Sequence, residues 1–258
     1  MANTVFENKV IEAKAKDLLV TSINARNLMT VDNSLAETEG MTKTINVYTY
    51  TGKVEKLADG AKNTVRGSIA YTGTDYKVQR AQQVFDYKDS DFMKDAAIVD
   101  ISLGKANELM VNEMTADFIA EANKATEEQT FTDAISYDVI VDAIAKVGLE
   151  NETGLFLVLP NDWKADLRKD ADYKAARMGE VVISGAVQNI AGIPVIFTNA
   201  LTDTGFVMTK EAIKLFMKKD VEIEQDRDIE SKENTVVLTT YYICALVDNN
   251  KICKIVKQ

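Results

Sequence analysis

One helical stripe restricts the fold of this chain more than any other feature. From roughly Asp91 to Lys124, Val99, Leu103, Ala106, Met110, Met114 and Phe118 step by four and three, and Ile119 and Ala122 extend the line. Asp100, Lys105, Asn107, Glu108, Asn112, Glu113, Asp117 and Glu121 fill the other faces. At 1.5 Å per residue, about 27 helical residues span ~40 Å. A helix of that length is a structural beam, and whatever surrounds it must bury one side of it. Gly104, inside the stripe, predicts a bend or a close contact.

The sequence ahead of the beam lacks the material to fold alone. Residues 4–20 read as an amphipathic helix through Val5, Phe6, Val10, Ile11, Leu18 and Leu19. Thr21 to Thr42 has no period and is rich in Asn, Thr, Ser, Asp and Glu, which predicts an extended arm ordered by a neighbour. Thr44 to Thr51 is β-branched and aromatic and ends at Gly52, and Asp75 to Tyr87 alternates apolar with polar residues. Lys53 to Thr74 between them holds Asp59-Gly60, Gly67 and Gly73. The expectation is one long hairpin with a polar, glycine-rich far part. Two isolated strands are marginally stable, so this hairpin is a candidate for packing on another chain.

Behind the beam, Thr126 to Thr132 is a polar break and the pattern turns to short alternating helices and strands. Tyr137 to Val147 predicts a helix closed by Gly148. Leu155 to Leu159 predicts a buried strand stopped by Pro160, with Asn161 or Asp162 capping a helix through Trp163, Leu167 and Arg168. Lys169 to Gly179 is charged and irregular; Val187 to Ile190 and Ile193 to Phe197 read as strands around an Ala191-Gly192 turn. Phe206 to Met208 reads as a strand and Lys210 to Phe216 as a helix, with Lys210, Lys214, Lys218 and Lys219 on one solvated face. Val221 to Gln225 alternates strictly. Thr235 to Val247 is expected to pair with Lys251 to Val256 as a closing hairpin around Asn249-Asn250. There is no internal repeat.

Composition removes many chemistries. The 258 residues include no histidine, so Ser-His-Asp triads, His-Cys dyads and imidazole-bound zinc are excluded. No GxxxxGK[ST], GxGxxG, GxSxG or CxxC motif occurs. The densest acid cluster, Glu222, Glu224, Asp226, Asp228 and Glu230 around Arg227, lacks the glycine-bearing loop and terminal bidentate Glu of a calcium site, and reads as a solvated strand edge and turn. Trp163, the single tryptophan, reads as a half-buried helix anchor, with pocket lining the alternative. The predicted closing hairpin puts Cys244 and Cys253 diagonally, about 7–8 Å apart at the backbone; that is long for a disulfide, so two buried free thiols are preferred, as suits a reducing cytoplasm. No secretory signal or bilayer-length apolar run is present. The net charge of −10 opposes a phosphate-gripping surface. No catalytic residue, cofactor or metal ligand is assigned.

The order of parts, with Leu157-Val158-Leu159-Pro160-Asn161-Asp162-Trp163, the turn Ala191-Gly192-Ile193-Pro194-Val195 and Val221 to Asp228 ahead of the last strands, resembles the major capsid proteins of tailed bacteriophages. That resemblance, which covers essentially the whole chain, implies an α+β fold of the Hong Kong 97 type. Its parts would be an N-terminal arm at 1–43, an extended β-hairpin E-loop at 44–88, and a spine helix with the first part of the peripheral domain at 89–132. An axial α/β domain would follow at 133–216 and the peripheral return strands at 217–258. It implies no enzyme but self-assembly into the pentamers and hexamers of an icosahedral head around weakly and non-specifically contacted double-stranded DNA. Axial loops within Lys164 to Ser184 would meet at the capsomer axes. A portal and, since the chain opens almost directly with the arm, a separate scaffolding protein are the implied partners. The chain would reside in the virion, assembled in the host cytoplasm. Some family members cross-link an E-loop lysine to a neighbour's asparagine, for which Lys53, Lys56, Lys62, Asn249 and Asn250 are available. Two rivals remain: an encapsulin-like bacterial compartment shell, and a soluble α/β enzyme using carboxylates such as Asp226 and Asp228 with Mg²⁺.

Overall fold

The computed structural model describes residues 24–95, 97–176 and 189–258. A short helix α1 (Asn24–Leu28) leads into strand β1 (Thr30–Asp32). Strands β2 (Thr42–Thr51) and β3 (Ser68–Lys77) form a hairpin, and β4 (Gln79–Lys88) follows after Val78 alone. Helix α2 (Asp89–Lys94) precedes the beam, α3 (Ile98–Ala122). Then come β5 (Glu128–Phe131), α4 (Tyr137–Val147), β6 (Leu155–Pro160), α5 (Trp163–Lys169) and α6 (Ala171–Ala176). The last part contributes β7 (Asn189–Ile190), β8 (Ile193–Thr198), β9 (Thr204–Thr209), β10 (Ile213–Asp228), β11 (Glu233–Leu246) and β12 (Ile252–Lys257).

Two sheets divide these strands. One runs β1-β10-β11-β4, with α3 laid across it; the other runs β5-β12-β9-β6-β8-β7. The stripe read from sequence is the packing face of α3: Leu103, Met110, Met114 and Phe118 share a core with Val236, Leu238 and Tyr242 of β11. A second core joins Ile140 of α4, Leu157 and Leu159 of β6, Trp163 and Leu167 of α5, Val207 of β9 and Ile255 of β12. Every residue of β6 is buried, because it lies inside its sheet between β9 and β8. Gly148 ends α4 at φ 64°, the left-handed conformation that glycine adopts without a Cβ penalty.

Several expectations fail for identifiable reasons. Lys210 to Phe216 is no helix; the turn after β9 feeds directly into β10, whose Lys214 to Phe216 pair in parallel with β1. The closing hairpin does not form either. β11 turns back at Asn249–Lys251, but β12 leaves for the second sheet and pairs with β9 and β5, while β10 and β4 flank β11. The boundary placed at 216/217 therefore falls inside β10. The segment 24–38 is held by its own chain: Ala25, Leu28, Met29 and Leu35 are buried, and Lys218 Nζ donates to the carbonyls of Leu35 and Thr38. Asp162 sits at the start of α5 without making a side-chain cap. Helix α3 runs through Gly104, and a Cβ placed there would meet open space. The helix expected at 4–20 and residues 177–184 of the expected axial loop lie outside the described residues.

Candidate assembly surface

The hairpin β2–β3 is the feature that calls for a partner. Its ten-residue strands pair from Thr42↔Lys77 to Thr51↔Ser68, and with no other strand among the described residues. Only its root is half-buried. There Ile45, Tyr76 and Val78 pack against Leu35, Phe216, Ile243 and Ala245, and Val78 N donates to Met41 O at 2.8 Å. Lys43 Nζ lies 4.9 Å from the centre of the Phe216 ring. Tyr76 O–H donates to Glu121 Oε2 at 3.4 Å, and Lys124 meets Glu121 at 2.5 Å and covers the Tyr76 ring at 5.6 Å. Burial first, then the Glu121 carboxylate, pushes the Tyr76 phenol up to about 12.

Beyond that root the hairpin exposes what soluble proteins normally bury. Tyr48 is 62% exposed, Tyr50 71%, Ile69 68% and Tyr71 71%, and the Tyr48 and Tyr71 rings tilt together at 6.1 Å. Tyr48↔Tyr71 and Tyr50↔Ile69 are cross-strand pairs two residues apart, so all four share one face. The Tyr50 ring folds over Gly52 and Gly67, where a Cβ would lie 2.6 and 2.1 Å from its hydroxyl oxygen. Without a Cβ at either position the ring lies flat against the loop; a side chain at either would turn this exposed ring aside. A solvated apolar and aromatic ribbon of this kind marks an interaction site.

The remaining sequence candidates are dispersed. Lys53, Lys56 and Lys62 are exposed in the hairpin loop, whereas Asn249 and Asn250 are exposed in the turn between β11 and β12. The acid cluster is split along β10 and its turn. Asp228 accepts from Glu230 N at 2.9 Å and Ser231 Oγ at 2.8 Å, bonds that hold its carboxyl below the usual carboxylate range, while Glu222 meets Lys219 at 2.6 Å. Among the described residues no group of three or more Cys, Asp and Glu is placed to hold a metal ion. Lys214, Lys218 and Lys219 belong to β10, where Lys218 bonds the carbonyls of Leu35 and Thr38 and Lys219 meets Glu222. Cys244 and Cys253 are both free and buried, in different sheets; Cys244 Sγ lies 3.5 Å from Met29 Sδ, and burial raises both thiols. Trp163 is 4% exposed and stands edge-on to Phe131 at 5.1 Å, the helix anchor rather than a pocket wall. No described helix is long and apolar enough to cross a membrane.

Asp117 and Glu121, read from sequence as outward-facing, carry structural work instead. Tyr242 O–H donates to Asp117 Oδ2 at 2.7 Å, and Glu121 is 9% exposed beneath the hairpin root. Their tyrosine partners lie 125 and 45 positions away, so no local pattern announces them.

No family model matches the chain. It is 24% identical over 234 residues, 88% of this chain and 84% of the relative, to a major capsid protein of Staphylococcus phage phiMR11. Among solved structures it resembles the capsid of Cyanophage P-SCSP1u with a TM-score of 0.70 at 11% identity, covering 90% of this chain and 86% of that one. Gordonia phage Cozz gives 0.69 at 12% identity, with 90% and 85% covered. A virus-like particle from Pyrococcus furiosus gives 0.66 at 13%, with 97% and 100% covered. The fold is the Hong Kong 97-type capsid fold, a mixed helix and sheet architecture.

Proposed function

We propose that this chain is the major capsid protein of a tailed phage, a structural subunit and not an enzyme, which assembles into pentamers and hexamers of an icosahedral head around double-stranded DNA. The observation that carries the proposal is the exposed β2–β3 hairpin: a ribbon with Tyr48, Tyr50, Ile69 and Tyr71 in solvent needs a neighbouring subunit to cover it. The capsid-type fold and the phage relative support the same reading. In this assignment the arm is 1–43, the E-loop 44–88 and the spine segment 89–132. The axial domain runs from 133 to the end of the turn after β9, supplemented by β12, and the peripheral return begins with β10 at Ile213. A separate scaffolding protein and a portal complete the assembly, which takes place in the host cytoplasm. A surplus of carboxylates lets the shell enclose DNA without gripping it.

The test is assembly. Expressed alone or with its scaffold, the chain gives shells, rings or tubes by electron microscopy, and a variant lacking Lys53 to Thr74 loses the β2–β3 ladder but still unfolds cooperatively and yields no particles. A stable compact monomer under all conditions overturns the proposal, and normal particle yield from the deletion removes the hairpin from it. The likeness to the virus-like particle from Pyrococcus furiosus, which spans 97% of this chain, favours a second reading, a compartment shell with protein cargo. Terminase and portal genes beside the coding sequence decide for a phage, and a cargo-enzyme gene decides for a compartment.

A further inference from the structure

We infer that the dipeptide Asp59-Gly60 is a site of spontaneous backbone isomerisation, where aspartate passes through a cyclic imide to isoaspartate and becomes a substrate for an isoaspartyl carboxyl methyltransferase. The inference goes beyond the shell-subunit reading and does not depend on it. The sequence supplies a single dipeptide of this kind. Of the 12 glycines, only Gly60 follows an aspartate, and none follows an asparagine. With no Cβ on the following residue, the amide nitrogen is open to the aspartate side chain, an approach that every other residue crowds.

The local structure leaves both reacting groups free. Ala61 N donates to Ala58 O at 3.0 Å, so Asp59 and Gly60 are the central pair of a four-residue turn. Gly60 stands at φ 83°, and a Cβ placed there would meet nothing within 4 Å. Every residue from Lys56 to Thr64 is exposed. Among the described residues, neither the Asp59 carboxylate nor the Gly60 N–H has a hydrogen-bond partner. Other aspartates are held. Asp32 accepts from Ser34 N at 2.8 Å, Asp228 from Glu230 N at 2.9 Å and Asp248 from Asn250 N at 3.0 Å. Those bonds keep each carboxylate on the amide two residues onward and off its own next nitrogen. Asp75 and Asp86, on strands, accept from the hydroxyls of Thr44 and Thr235, both at 2.6 Å. Asp59 combines a free carboxylate, a free following N–H and a glycine in solvent.

The step balances without a co-reactant. Gly60 N bonds to Cγ of the Asp59 carboxylic acid, and the amide proton leaves with the acid's hydroxyl as water, closing a five-membered imide. Water then adds to one of the two imide carbonyls. Addition at Cγ restores aspartate. Addition at the former backbone carbonyl of Asp59 leaves the chain running through Cβ, with a free α-carboxylate beside it, and nothing is oxidised or reduced. That α-carboxylate is the group an isoaspartyl methyltransferase esterifies with the methyl of S-adenosylmethionine. The product also inserts one extra carbon into the backbone between Ala58 and Gly60, inside the turn that Ala58 O and Ala61 N close. An exposed loop tip tolerates such a change where a packed strand would not.

The purified, unassembled full chain tests this when it is held at neutral pH and sampled over days. Trypsin cuts after Lys56 and Lys62 and isolates Leu57 to Lys62 as one peptide. The expected result is a second peptide of identical mass, assigned to isoaspartate by electron-transfer fragmentation, accumulating at least tenfold faster than isoaspartate in any other peptide of the chain. Methyl transfer from labelled S-adenosylmethionine should rise in step. Asp59→Glu, which would have to close a larger ring, is expected to cut methyl acceptance at least tenfold. Asp59→Asn, which expels ammonia in place of water, is expected to raise it at least tenfold. The parent chain held in urea gives the rate of an unrestrained Asp-Gly, and the folded chain should come within tenfold of it. A folded chain slower than that, no isoaspartate at Asp59, or methyl acceptance undiminished in Asp59→Glu each overturns the inference. Particle formation is not read in this experiment, so its failure leaves the capsid reading standing.

Discussion

Tyr242 and Tyr76 tie the beam helix to the rest of the chain through carboxylates that stand among its polar residues. Burial pushes the Tyr242 phenol far above its ordinary value, and the hydrogen bond to Asp117 and the charges of Asp117 and Glu113 add to the shift. Tyr76 is raised to about 12 for the same kinds of reason, burial leading. Both phenols are neutral in folded and unfolded chains below about pH 10, so their contribution is fully present there. As pH rises past 10 the unfolded chain releases these protons and the folded chain holds them, so stability falls with pH through the folded values. Tyr242→Phe is expected to cost about 1–2 kcal/mol at pH 7 through the lost bond to a charged acceptor. Between pH 10 and 12 its stability should fall less steeply than that of the parent chain. Urea unfolding at several pH values measures both, and parallel slopes would remove Tyr242 as a source of alkaline sensitivity. None of this is written locally in the sequence, whereas the Gly148 cap is, because a left-handed terminus needs only the residue at that position.

The elements read correctly are those whose pattern is self-contained. The stripe from Val99 to Phe118 gives α3 and Tyr137 to Val147 gives α4, because each turns one periodic face to a core, and the apolar run at Leu155 gives β6, because that strand is buried on both faces. The elements misread are those decided by distant pairing. Lys210 to Phe216 has helical spacing in its lysines, but Leu215 and Phe216 are buried on opposite faces of β10 against different cores, a strand's arrangement that only the sheet reveals. The last two strands look like a hairpin because an Asn-Asn turn joins apolar runs, yet β12 is claimed by β9 and β5. The 24–38 segment looked unsupported because its support lies some 180 positions onward: Lys218 bonds the carbonyls of Leu35 and Thr38. Lys218→Ala should therefore release that segment selectively. Amide exchange at Leu35 to Thr38 is expected to quicken by about tenfold, the equivalent of ~1.4 kcal/mol of local opening, with the α3 amides unchanged. Equal acceleration in α3 would show that Lys218 supports the whole fold and not that segment.

At the scale of the molecule, the −10 charge and the hairpin oppose each other, and ionic strength sets the balance. Subunits of like net charge repel over the Debye length, about 30 Å at 0.01 M salt and about 8 Å at 0.15 M. The contacts proposed for the hairpin act at van der Waals and hydrogen-bond distance, where apolar burial is insensitive to screening. Each large apolar side chain that the hairpin removes from water contributes roughly 1.5–3 kcal/mol before the cost of association. Raising salt from 0.01 to 0.15 M therefore weakens the long-range repulsion far more than it weakens the contact itself. Shell formation followed by light scattering should speed up over that range, and the shells should persist when salt is raised further. Assembly that slows steadily from 0.01 M upward would mean that attraction between opposite charges outweighs both the net repulsion and the tyrosine face. The sign of one salt titration thus separates an interface held by Tyr48, Tyr50, Ile69 and Tyr71 from one held by its charged rim.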